Sequence, residues 1–586
     1  MCGIAGLISN DSISLDYIES MINSIKHRGP DDNGYYATNN SFIANTRLSI
    51  IDIKSGHQPF TDDKKSIALV QNGEIYNYLE LRQELLDLGY SFNTNSDTEV
   101  LLVCYIAYGE QFVQKLNGMF AIAILDKNIN KLLLYRDRLG VKPLYIYSQN
   151  DLFMFSSEIK SFLSHEKFDK RINYQSIHNY FIFNYIPLPD TIFENVRHIL
   201  PGHYLKVDLN NSSCVEHYKY WEIENSVEDY LVSDDEYISE IDKLLLDATK
   251  IRMRSDVSVG AFLSGGLDSS LISAYMHKIT KSSFQTFTIG FKEKEFDESK
   301  YAKYITDKYG LGSNIKILEA DIVKLWSRTT WHNDQPHGDI SFIPTYIVSE
   351  FASKTHKLVL TGDGGDELFA GYSKYLNLDK VEVKSKEYFD SVSLFKENGI
   401  INELYTDDFK NKVSLKGAFS LFSKTISNAS NKDNVNQALY FDTLQLLPGN
   451  NLVKPDKMGM ANSLEARSPF LDYRFFEILM KIPGNKKLKN GETKYILKKL
   501  ALRHFSAEHV YRDKQMFTVP IGEWFKTKLS NFLVETLTDK RFVSRNIFKQ
   551  ELILLMINDH ITGKKNLTRE LRAIVNLELW FREFID

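Results

Sequence analysis

SGGLDSS, residues 264–270, joins a predicted strand to a predicted helix and sets the architecture of the second half of the chain. The apolar run 257–263 before it is typical of a buried strand, and residues 271–279 after it have a helical pattern. Glycines let the backbone approach a phosphate, while helix N-terminal amides and serine hydroxyls donate hydrogen bonds to an anion. The string is neither GxxxxGKS/T nor GxGxxG, which excludes a Walker-type loop and a dinucleotide fingerprint. A serine-rich turn without a ligand is the plainer alternative.

A second loop rich in Gly and Asp, TGDGGDE at 361–367, follows another short apolar run at 357–360. With a third run at 286–291, the alternation of strands and helical sequence predicts an α/β domain with a parallel sheet. Asp and Gly together commonly mean only a turn. The carboxyl ends of such strands meet at one crevice, however, so we expect the two loops to lie side by side. Asp268 and Asp366 are then candidate Mg2+ ligands.

The first 200 residues have a different sequence pattern, in which short apolar segments are separated by Gly, Asn and Asp. This spacing predicts stacked antiparallel strands and an α+β layer fold. The predicted strands are 42–45, 66–70, 120–125, 131–135, 153–156 and 204–207, and the predicted helices are 15–25, 78–88 and 98–108. Residues 222–236 are polar and acidic and precede a long helix from about Glu236, which places a domain boundary there. We therefore divide the chain into residues 2–205, a linker 206–235, and residues 236–586. Residues 376–435 lack a clear motif, and the pattern from 436 onward is mostly helical.

Composition excludes several classes of protein. A chain of 586 residues exceeds what one hydrophobic core usually organises. The net charge of -5 argues against nucleic acid or an anionic membrane as the main partner. Three cysteines, Cys2, Cys104 and Cys214, lack CxxC spacing, which fits a reducing cytoplasm rather than a disulfide framework or zinc cluster. Neither a signal peptide nor an apolar run near the roughly 20 residues of a membrane span is expected.

Cys2 is a candidate nucleophile because a small second residue permits removal of Met1 and leaves a free α-amine beside the thiol. An α-amine with a pKa of about 8 can take the proton of a thiol with a pKa of about 8.5, so no histidine is required. An N-terminal cysteine without a role is the alternative. Arg47 could bind a carboxylate through its guanidinium fork, and Asn72 and Gly73 could donate to an oxyanion. Asp97 could bind an ammonium group, although a helix cap is its plainer role.

The first half resembles class II glutamine amidotransferases in MCGIAG at 1–6, HRGPD at 27–31, RLSIID at 47–52, NGE at 72–74 and SDTE at 96–99. LNGMF at 116–120 and RDRLGVKP at 136–143 extend the likeness through residue 205. The resemblance implies an N-terminal-nucleophile αββα sandwich, with Cys2 as nucleophile and Asn72 and Gly73 as the oxyanion hole. The glutamine-binding residues that it implies are Arg47, Ile50, Ile51, Asn72, Gly73, Glu74 and Asp97.

The second half resembles asparagine synthetases. SGGxDS matches the PP-loop of ATP pyrophosphatases, and KMGMANSLEARSPFLD at 457–472 and GETKY at 491–495 resemble two further synthetase segments. The resemblance implies an α/β domain of the adenine nucleotide α hydrolase-like type with a helical C-terminal part. Its implied ATP-binding residues are Leu263, Ser264, Gly265, Gly266, Asp268, Ser269, Ile289, Thr361, Gly362 and Lys494, with Lys494 also catalytic through stabilisation of charge during adenylation. Ser264, Asp268, Ser269 and Asp366 would hold magnesium pyrophosphate, and the acceptor-pocket candidates are Asp363, Asn451, Lys454 and Arg467.

Together the two resemblances predict a glutamine-dependent asparagine synthetase that uses ATP and Mg2+ to convert aspartate to asparagine. Because free ammonia is mostly protonated in water, we expect an intramolecular tunnel between the sites. Amidation of another carboxylate, such as a uronic acid in surface polysaccharide assembly, is the alternative, since Lys454-Pro455 and Ser468 depart from the common pattern. A ring-closing enzyme of the β-lactam synthetase kind would not need the glutaminase residues, and a non-catalytic metabolite-binding protein would release no ammonia. A homodimer is a family-level expectation.

Overall fold

The computed structural model describes residues 2–223, 232–293, 295, 297–318, 321–378, 380–396, 399–513 and 519–586. Two antiparallel six-stranded sheets form the N-terminal part, and a parallel five-stranded sheet is the centre of the C-terminal part. In spatial order, the first sheet contains Val196–His198, Tyr145–Gln149, Leu152–Ser156, Cys2–Ser9, Ser41–Arg47 and Asp32–Ala37. The second contains Val215–Lys219, His203–Asp208, Lys131–Arg136, Gly118–Asp126, Ile67–Ile75 and Phe60–Thr61.

The two antiparallel sheets stack because each turns an apolar face toward the other. Ile4 and Ile43 of the first sheet pack with Val70 and Ala123 of the second, and all four are fully buried. Alternate residues of a strand point to opposite faces, so each sheet also presents a second apolar face to helices. The packing gives the layer order helix, sheet, sheet, helix, which confirms the expected αββα sandwich.

The helices on the outer faces bury an apolar stripe against these sheets. Leu15–Ser24 covers the first sheet; Ser14 caps it by accepting the Tyr17 amide, and Ile18, Met21 and Ile22 are buried at helical spacing. On the other side, Asp97–Tyr108 packs on the second sheet, Tyr78–Asp87 packs on that helix, and Tyr174–Phe183 follows later in the chain. The three helices predicted from the sequence are confirmed.

Five of the six predicted N-terminal strands fall within an observed one, and the sixth, 66–70, begins one residue before strand Ile67–Ile75. Several other strands were not predicted. Cys2–Ser9 is a central strand of the first sheet, although its glycines disguise the strand pattern. Val215–Lys219 pairs with His203–Asp208 and so extends the second sheet past residue 205.

The parallel sheet has the spatial order Gly312–Ile317, Gln285–Gly290, Val259–Phe262, Leu358–Leu360 and Glu465–Arg467. Its three middle strands were predicted. SGGLDSS follows the carboxyl end of the central strand and TGDGGDE follows that of its neighbour, so both loops leave the same edge of the sheet. The two outer strands were not predicted.

Helices surround the parallel sheet and make up most of the C-terminal part, as the sequence predicts. Residues 376–435 contribute short helices whose aromatic side chains, including Tyr388, Phe389 and Phe422, are buried. The helices of the C-terminal part, including a π-helical segment at Asp442–Asn451, are Asp234–Arg252, Leu267–Thr280, Ser299–Tyr309, Ile322–Asn333, Phe342–Ser353, Gly365–Phe369, Lys386–Val392, Ile400–Leu404, Asp407–Lys410, Gly417–Ser427, Asn434–Phe441, Val453–Met460, Tyr473–Leu479, Tyr495–Ala501, Ala507–Val510, Ile521–Lys526, Ser530–Thr538, Lys540–Ser544, Gln550–Ile561 and Thr568–Phe584.

Buried ion pairs join the two parts of the chain. The guanidinium of Arg28 is inaccessible to solvent and contacts Glu158 at 2.8 Å and Asp456, from the C-terminal part, at 2.9 Å. Lys142 reaches the same Asp456 carboxylate at 3.4 Å. Charges buried in this way are strongly destabilising when one partner is removed, so they fix how the two parts dock. Across the described ranges, no helix is both long and apolar enough to cross a membrane.

Candidate active sites

Cys2 lies at the start of the first strand, opposite Arg47 and close to the second sheet. Its backbone nitrogen is 3.3 Å from Asn72 Oδ1, so the same acceptor would hold the α-amine that removal of Met1 creates. Met1 itself lies outside the described residues. Burial raises the pKa of the Cys2 thiol above its ordinary value. The thiol therefore needs a nearby base, and the α-amine is attached to the same residue.

Asn72 and Gly73 occupy adjacent positions on the buried strand Ile67–Ile75. Asn72 is fully buried, and its Nδ2 donates to Ser157 Oγ at 3.3 Å, which orients the amide. Gly73 has a φ of 142°, and a Cβ there would lie 2.0 Å from the Met119 carbonyl oxygen. Only glycine fits this position. The structure thus brings the two predicted oxyanion donors to the strand that faces Cys2.

The guanidinium of Arg47 is held in a fixed orientation by backbone carbonyls. Its Nη2 donates to Ile51 O at 3.1 Å and to Asp52 O at 2.7 Å. Ile50 and Ile51, the predicted pocket-lining residues, are buried in the same turn. Because Cys2 and Arg47 are paired across the sheet, a carboxylate bound by Arg47 would lie on the same side of the sandwich as the thiol.

Asp97 and Glu74 place two carboxyl groups near this pocket. The N-cap of helix Asp97–Tyr108 is Ser96, whose Oγ accepts the Thr98 amide, so Asp97 is not the cap. Instead, Asp97 Oδ2 accepts the Ile75 amide at 3.1 Å. Burial raises the pKa of both carboxyl groups, and for Glu74 the neighbouring Asp97 raises it further. A bound ammonium group would favour their charged forms.

The first phosphate-binding candidate, the 264–270 loop, has the geometry of an anion cradle. Ser264 Oγ and Ser269 Oγ are 3.2 Å apart, and helix Leu267–Thr280 starts directly after Gly266. Gly265 has a φ of 77°, and a Cβ there would lie 2.6 Å from the Ala302 backbone nitrogen. The helix N-terminus and the serine hydroxyls therefore point into one concave turn.

Lys494 links this loop to the second one. Its Nζ lies 2.5 Å from Asp268 Oδ2 and 2.7 Å from Asp366 Oδ1. Burial lowers the pKa of Lys494, but the two carboxylates outweigh it and hold that pKa above its ordinary value. The loops also pack directly, because a Cβ at Gly362 would lie 2.8 Å from the Ser269 backbone nitrogen. The structure brings together the phosphate-site residues that the sequence predicted.

The predicted nucleotide-lining residues lie at the carboxyl ends of neighbouring strands. Leu263, directly after strand Val259–Phe262, and Ile289, on the adjacent strand, are buried, and Thr288 Oγ1 donates to Leu263 O at 2.6 Å. Thr361 begins the second loop, and its hydroxyl donates to Asp363 Oδ2 at 2.7 Å. These residues surround one edge of the parallel sheet, where a nucleotide binds in open α/β folds.

The four acceptor candidates lie in separate places, and one of them, Asp363, belongs to the second loop. Asn451 Nδ2 donates to Glu367 and, at 2.8 Å, to the Tyr372 hydroxyl, beside the second loop. Lys454 lies one helical turn further and donates to Ser341 Oγ at 3.0 Å. Arg467 instead contacts Glu465 at 2.5 Å and Glu74 of the glutamine pocket at 3.4 Å. Its acceptor role stays a prediction.

Sequence reasoning missed several residues that shape the two sites. Ser157 orients Asn72 and also accepts the Ile4 amide at 3.0 Å. Arg512 donates to the Gly265 carbonyl at 2.9 Å and pairs with Glu298. Neither belongs to a motif, and both act across more than 80 residues of sequence. Only the fold reveals them.

Comparison with known proteins agrees with this geometry. The family model described as a glutamine amidotransferase domain matches residues 1–221, and that described as asparagine synthase matches residues 240–582. "Asparagine synthetase [glutamine-hydrolyzing] 1" of Bacillus subtilis (strain 168) is 32% identical over 626 residues, covering 99% of this chain and 96% of that protein. "Amidase chry2" of Gibberella zeae is 28% identical, covering 89% and 90%.

Among solved structures, "Structure of the allosteric regulatory enzyme of purine biosynthesis" is 16% identical, covers 54% of this chain and 80% of its own, and has a TM-score of 0.31, too low to support a comparison of folds. The relative from Bacillus subtilis covers both candidate sites in one alignment, and each of the two family models covers one of them. This chain belongs to the family of glutamine-hydrolysing asparagine synthetases.

Proposed function

We propose that this chain releases ammonia from glutamine at Cys2 and transfers it to aspartate that has been activated by ATP, giving asparagine, glutamate, AMP and pyrophosphate. One observation carries the proposal most directly. Arg467 pairs with Glu74 in the glutamine pocket, while its backbone carbonyl accepts the amide of Thr361 in the nucleotide loop at 2.9 Å. A single residue thereby joins the two candidate sites.

In the glutaminase half-reaction, the α-amine of Cys2 takes the thiol proton as sulfur attacks the amide carbon of glutamine. The oxyanion that forms would accept hydrogen bonds from Asn72 Nδ2 and the Gly73 amide. Collapse of the intermediate releases ammonia with that proton, and water then hydrolyses the thioester to glutamate. Arg47 holds the α-carboxylate of glutamine, and Asp97 with Glu74 holds its ammonium end.

In the synthetase half-reaction, an aspartate carboxylate oxygen attacks the α-phosphorus of ATP and pyrophosphate leaves. Ammonia then attacks the acyl carbon, AMP leaves, and the extra proton passes to solvent or to a leaving phosphate. Lys494 stabilises the negative charge that develops on the phosphates. Ser264 and Ser269 donate to the leaving pyrophosphate, as the helix N-terminus does.

The carboxylates present fit Mg2+ as the accompanying ion. Asp268 and Asp366 both reach the same lysine nitrogen, so their oxygens converge on one point at the phosphate site. No group of three or more His, Cys, Asp or Glu in the described ranges forms a metal cage by itself. Mg2+ commonly uses one or two carboxylates and completes its shell with substrate phosphates, whose charge it neutralises.

An apolar seam offers the ammonia a path between the sites. Leu48 and Ile50 of the glutamine pocket pack with Tyr76, Met119 and, from the C-terminal part, Met460. Neutral ammonia crosses such a lining while ammonium is excluded, because burying an unpaired charge is costly. We propose that the tunnel runs along this seam.

The acceptor, the cellular location and the oligomeric state are parts of the same proposal. Aspartate as the acceptor is supported by the relatives named asparagine synthetase. A reduced Cys2 is required for the chemistry, which supports a cytoplasmic location. A homodimer is proposed from the family alone.

Replacing Cys2 by Ala tests whether ammonia release from glutamine and amidation of the acceptor take place at separate sites. Glutamine-driven synthesis should disappear, while synthesis from added ammonium should continue at close to the wild-type rate. Cys214→Ala is the matched control, because this cysteine is exposed and far from both sites in the sequence. Loss of both activities in Cys2→Ala, with a folded protein, would contradict the scheme.

A further inference from the structure

Ser157 connects the candidate oxyanion hole to the strand that carries Cys2. It lies directly after strand Leu152–Ser156 and is fully buried. Its Oγ accepts the amide of Ile4 at 3.0 Å and one Nδ2 hydrogen of Asn72 at 3.3 Å. Its own amide donates to the Ile4 carbonyl at 2.9 Å. Ser157 is therefore fixed to the nucleophile strand through both its backbone and its side chain.

The Asn72 side chain is held between Cys2 and Ser157. Its Oδ1 accepts from the Cys2 nitrogen at 3.3 Å, and its Nδ2 donates to Ser157 Oγ. An amide nitrogen carries two hydrogens, so the second one is left to donate to the oxyanion. The Cys2 nitrogen changes its charge when it takes the thiol proton, whereas Ser157 keeps the same contacts throughout the reaction. The position of this oxyanion donor therefore depends on Ser157.

Asp334, from the C-terminal part, holds the segment that follows Ser157. The 3-10 helix Ile159–Ser164 begins two residues after Ser157, and within the described ranges its N-cap residue makes no side-chain capping bond. Asp334 accepts the first two amides of this helix instead, that of Ile159 at 2.9 Å and that of Lys160 at 3.3 Å. Such amides are commonly capped by the residue just before the helix, but here the acceptor lies 175 residues away in the sequence.

Asp334 is itself fixed by buried contacts. Its Oδ1 lies 2.7 Å from Lys160 Nζ and its Oδ2 lies 2.6 Å from Lys457 Nζ, and all three side chains are almost inaccessible to solvent. Its carbonyl oxygen accepts Trp580 Nε1, from helix Thr568–Phe584, at 2.7 Å. Groups in a buried network of this kind keep one geometry, because separating a buried charge from its partner is costly.

We propose that Ser157 and Asp334 are positioning residues of the glutaminase, through which the C-terminal part holds Asn72 in the geometry that stabilises the oxyanion. The inference rests on the proposed function, because it takes Cys2 as the nucleophile and Asn72 as an oxyanion donor. Each of the two residues acts through Asn72 rather than on the substrate. A positioning role lowers the rate of glutamine hydrolysis without weakening the binding of glutamine, whereas a merely structural role would impair both reactions of the enzyme.

Steady-state hydrolysis of glutamine by the full-length enzyme tests Ser157. In Ser157→Ala, kcat should fall by about 10- to 100-fold with the KM for glutamine within about 2-fold of wild type, since loss of a whole oxyanion donor costs about 10²–10³. The aldehyde analogue of glutamine adds to the thiol and places its oxygen in the same hole, so its inhibition constant should rise by a similar factor. An unchanged kcat, or a rise in KM alone, would overturn the inference. Ser161→Ala is the matched control, because it removes another fully buried serine hydroxyl from the same segment and should leave these constants unchanged.

Asp334→Asn tests the link to the C-terminal part, because the variant keeps the size of the side chain but loses its charge and one acceptor oxygen. Here kcat for glutamine hydrolysis should fall by about 5-fold or more, the factor that one hydrogen bond contributes, with ammonium-driven asparagine synthesis within about 2-fold of wild type. If both residues act through Asn72, the double variant should hydrolyse glutamine within about 2-fold of the rate of Ser157→Ala alone. Effects that multiply, an unchanged kcat in Asp334→Asn, or an equal loss of ammonium-driven synthesis would overturn the inference.

Failure of the proposed function would give a different result in the same assays. Wild-type enzyme that releases no ammonia from glutamine, or Cys2→Ala that still releases it, would refute the glutaminase assignment and the inference with it. An active wild type with unaffected Ser157 and Asp334 variants would refute the inference alone.

Discussion

Lys494→Met removes a cation that bridges the two phosphate-binding loops while nearly preserving side-chain volume. Lys494 is 5% exposed, and its Nζ lies 2.5 Å from Asp268 and 2.7 Å from Asp366. The residue has a φ of 55°, but methionine is no more strained there than lysine, so the change is electrostatic. Without Lys494 the two carboxylates repel each other and the developing phosphate charge loses a fixed counter-ion.

The expected loss follows from this geometry. Removing one preorganised stabiliser from a water-poor site costs about 10²–10³ in rate, or about 3–4 kcal/mol of transition-state stabilisation. We therefore expect aspartate-dependent pyrophosphate release to fall by about that factor, with glutamine hydrolysis within about 2-fold of wild type. Lys499→Met, at an exposed position on the next helix, is the matched control and should leave both rates unchanged. A loss below about 10-fold, or an equal loss of glutamine hydrolysis, would refute the assignment.

Two further predictions concern the nucleotide loop and the response to acid. Gly265→Ala should abolish ATP cleavage and spare glutamine hydrolysis, because its Cβ would meet the Ala302 backbone at 2.6 Å; measurable pyrophosphate release from this variant would contradict the steric argument. Burial lowers the pKa of His178 to about 4, below the unfolded value of 6.5, so the folded state binds fewer protons. Its contribution to the free energy of unfolding is complete above pH 6.5 and is lost by up to about 3 kcal/mol as the pH falls to 4. The free energy of unfolding of His178→Gln, measured with urea, should therefore fall less between pH 6.5 and pH 4 than that of wild type. An equal fall in the two proteins would contradict this role of His178.

The phosphate site was the part most accessible from sequence, because its signals are local. Short apolar runs ended by glycine-rich loops predicted three neighbouring strands and the closeness of Asp268 and Asp366. Strand Glu465–Arg467 escaped prediction because it has three residues, two of them charged. Its place in the sheet depends on pairing with Leu358–Leu360, which no local pattern encodes.

The contacts between the two parts of the chain could not be predicted either, because no local sequence pattern encodes them. Glu74 and Arg467 are nearly 400 residues apart in the sequence but form an ion pair. The residues around each of them do not predict this contact. Motifs predicted the reacting groups, whereas the fold alone places the groups that connect the two sites.

Transfer of nitrogen between the two sites is the central claim, and isotope competition measures it directly. Wild-type enzyme is incubated with ATP, aspartate and glutamine labelled with 15N in its side-chain amide, in the presence of excess unlabelled ammonium at a pH where ammonium predominates. The account predicts that the asparagine formed carries 15N well above the fraction expected from mixing with the ammonium pool. Label at the mixing fraction would contradict a sheltered path from Cys2 to the ATP-activated carboxylate.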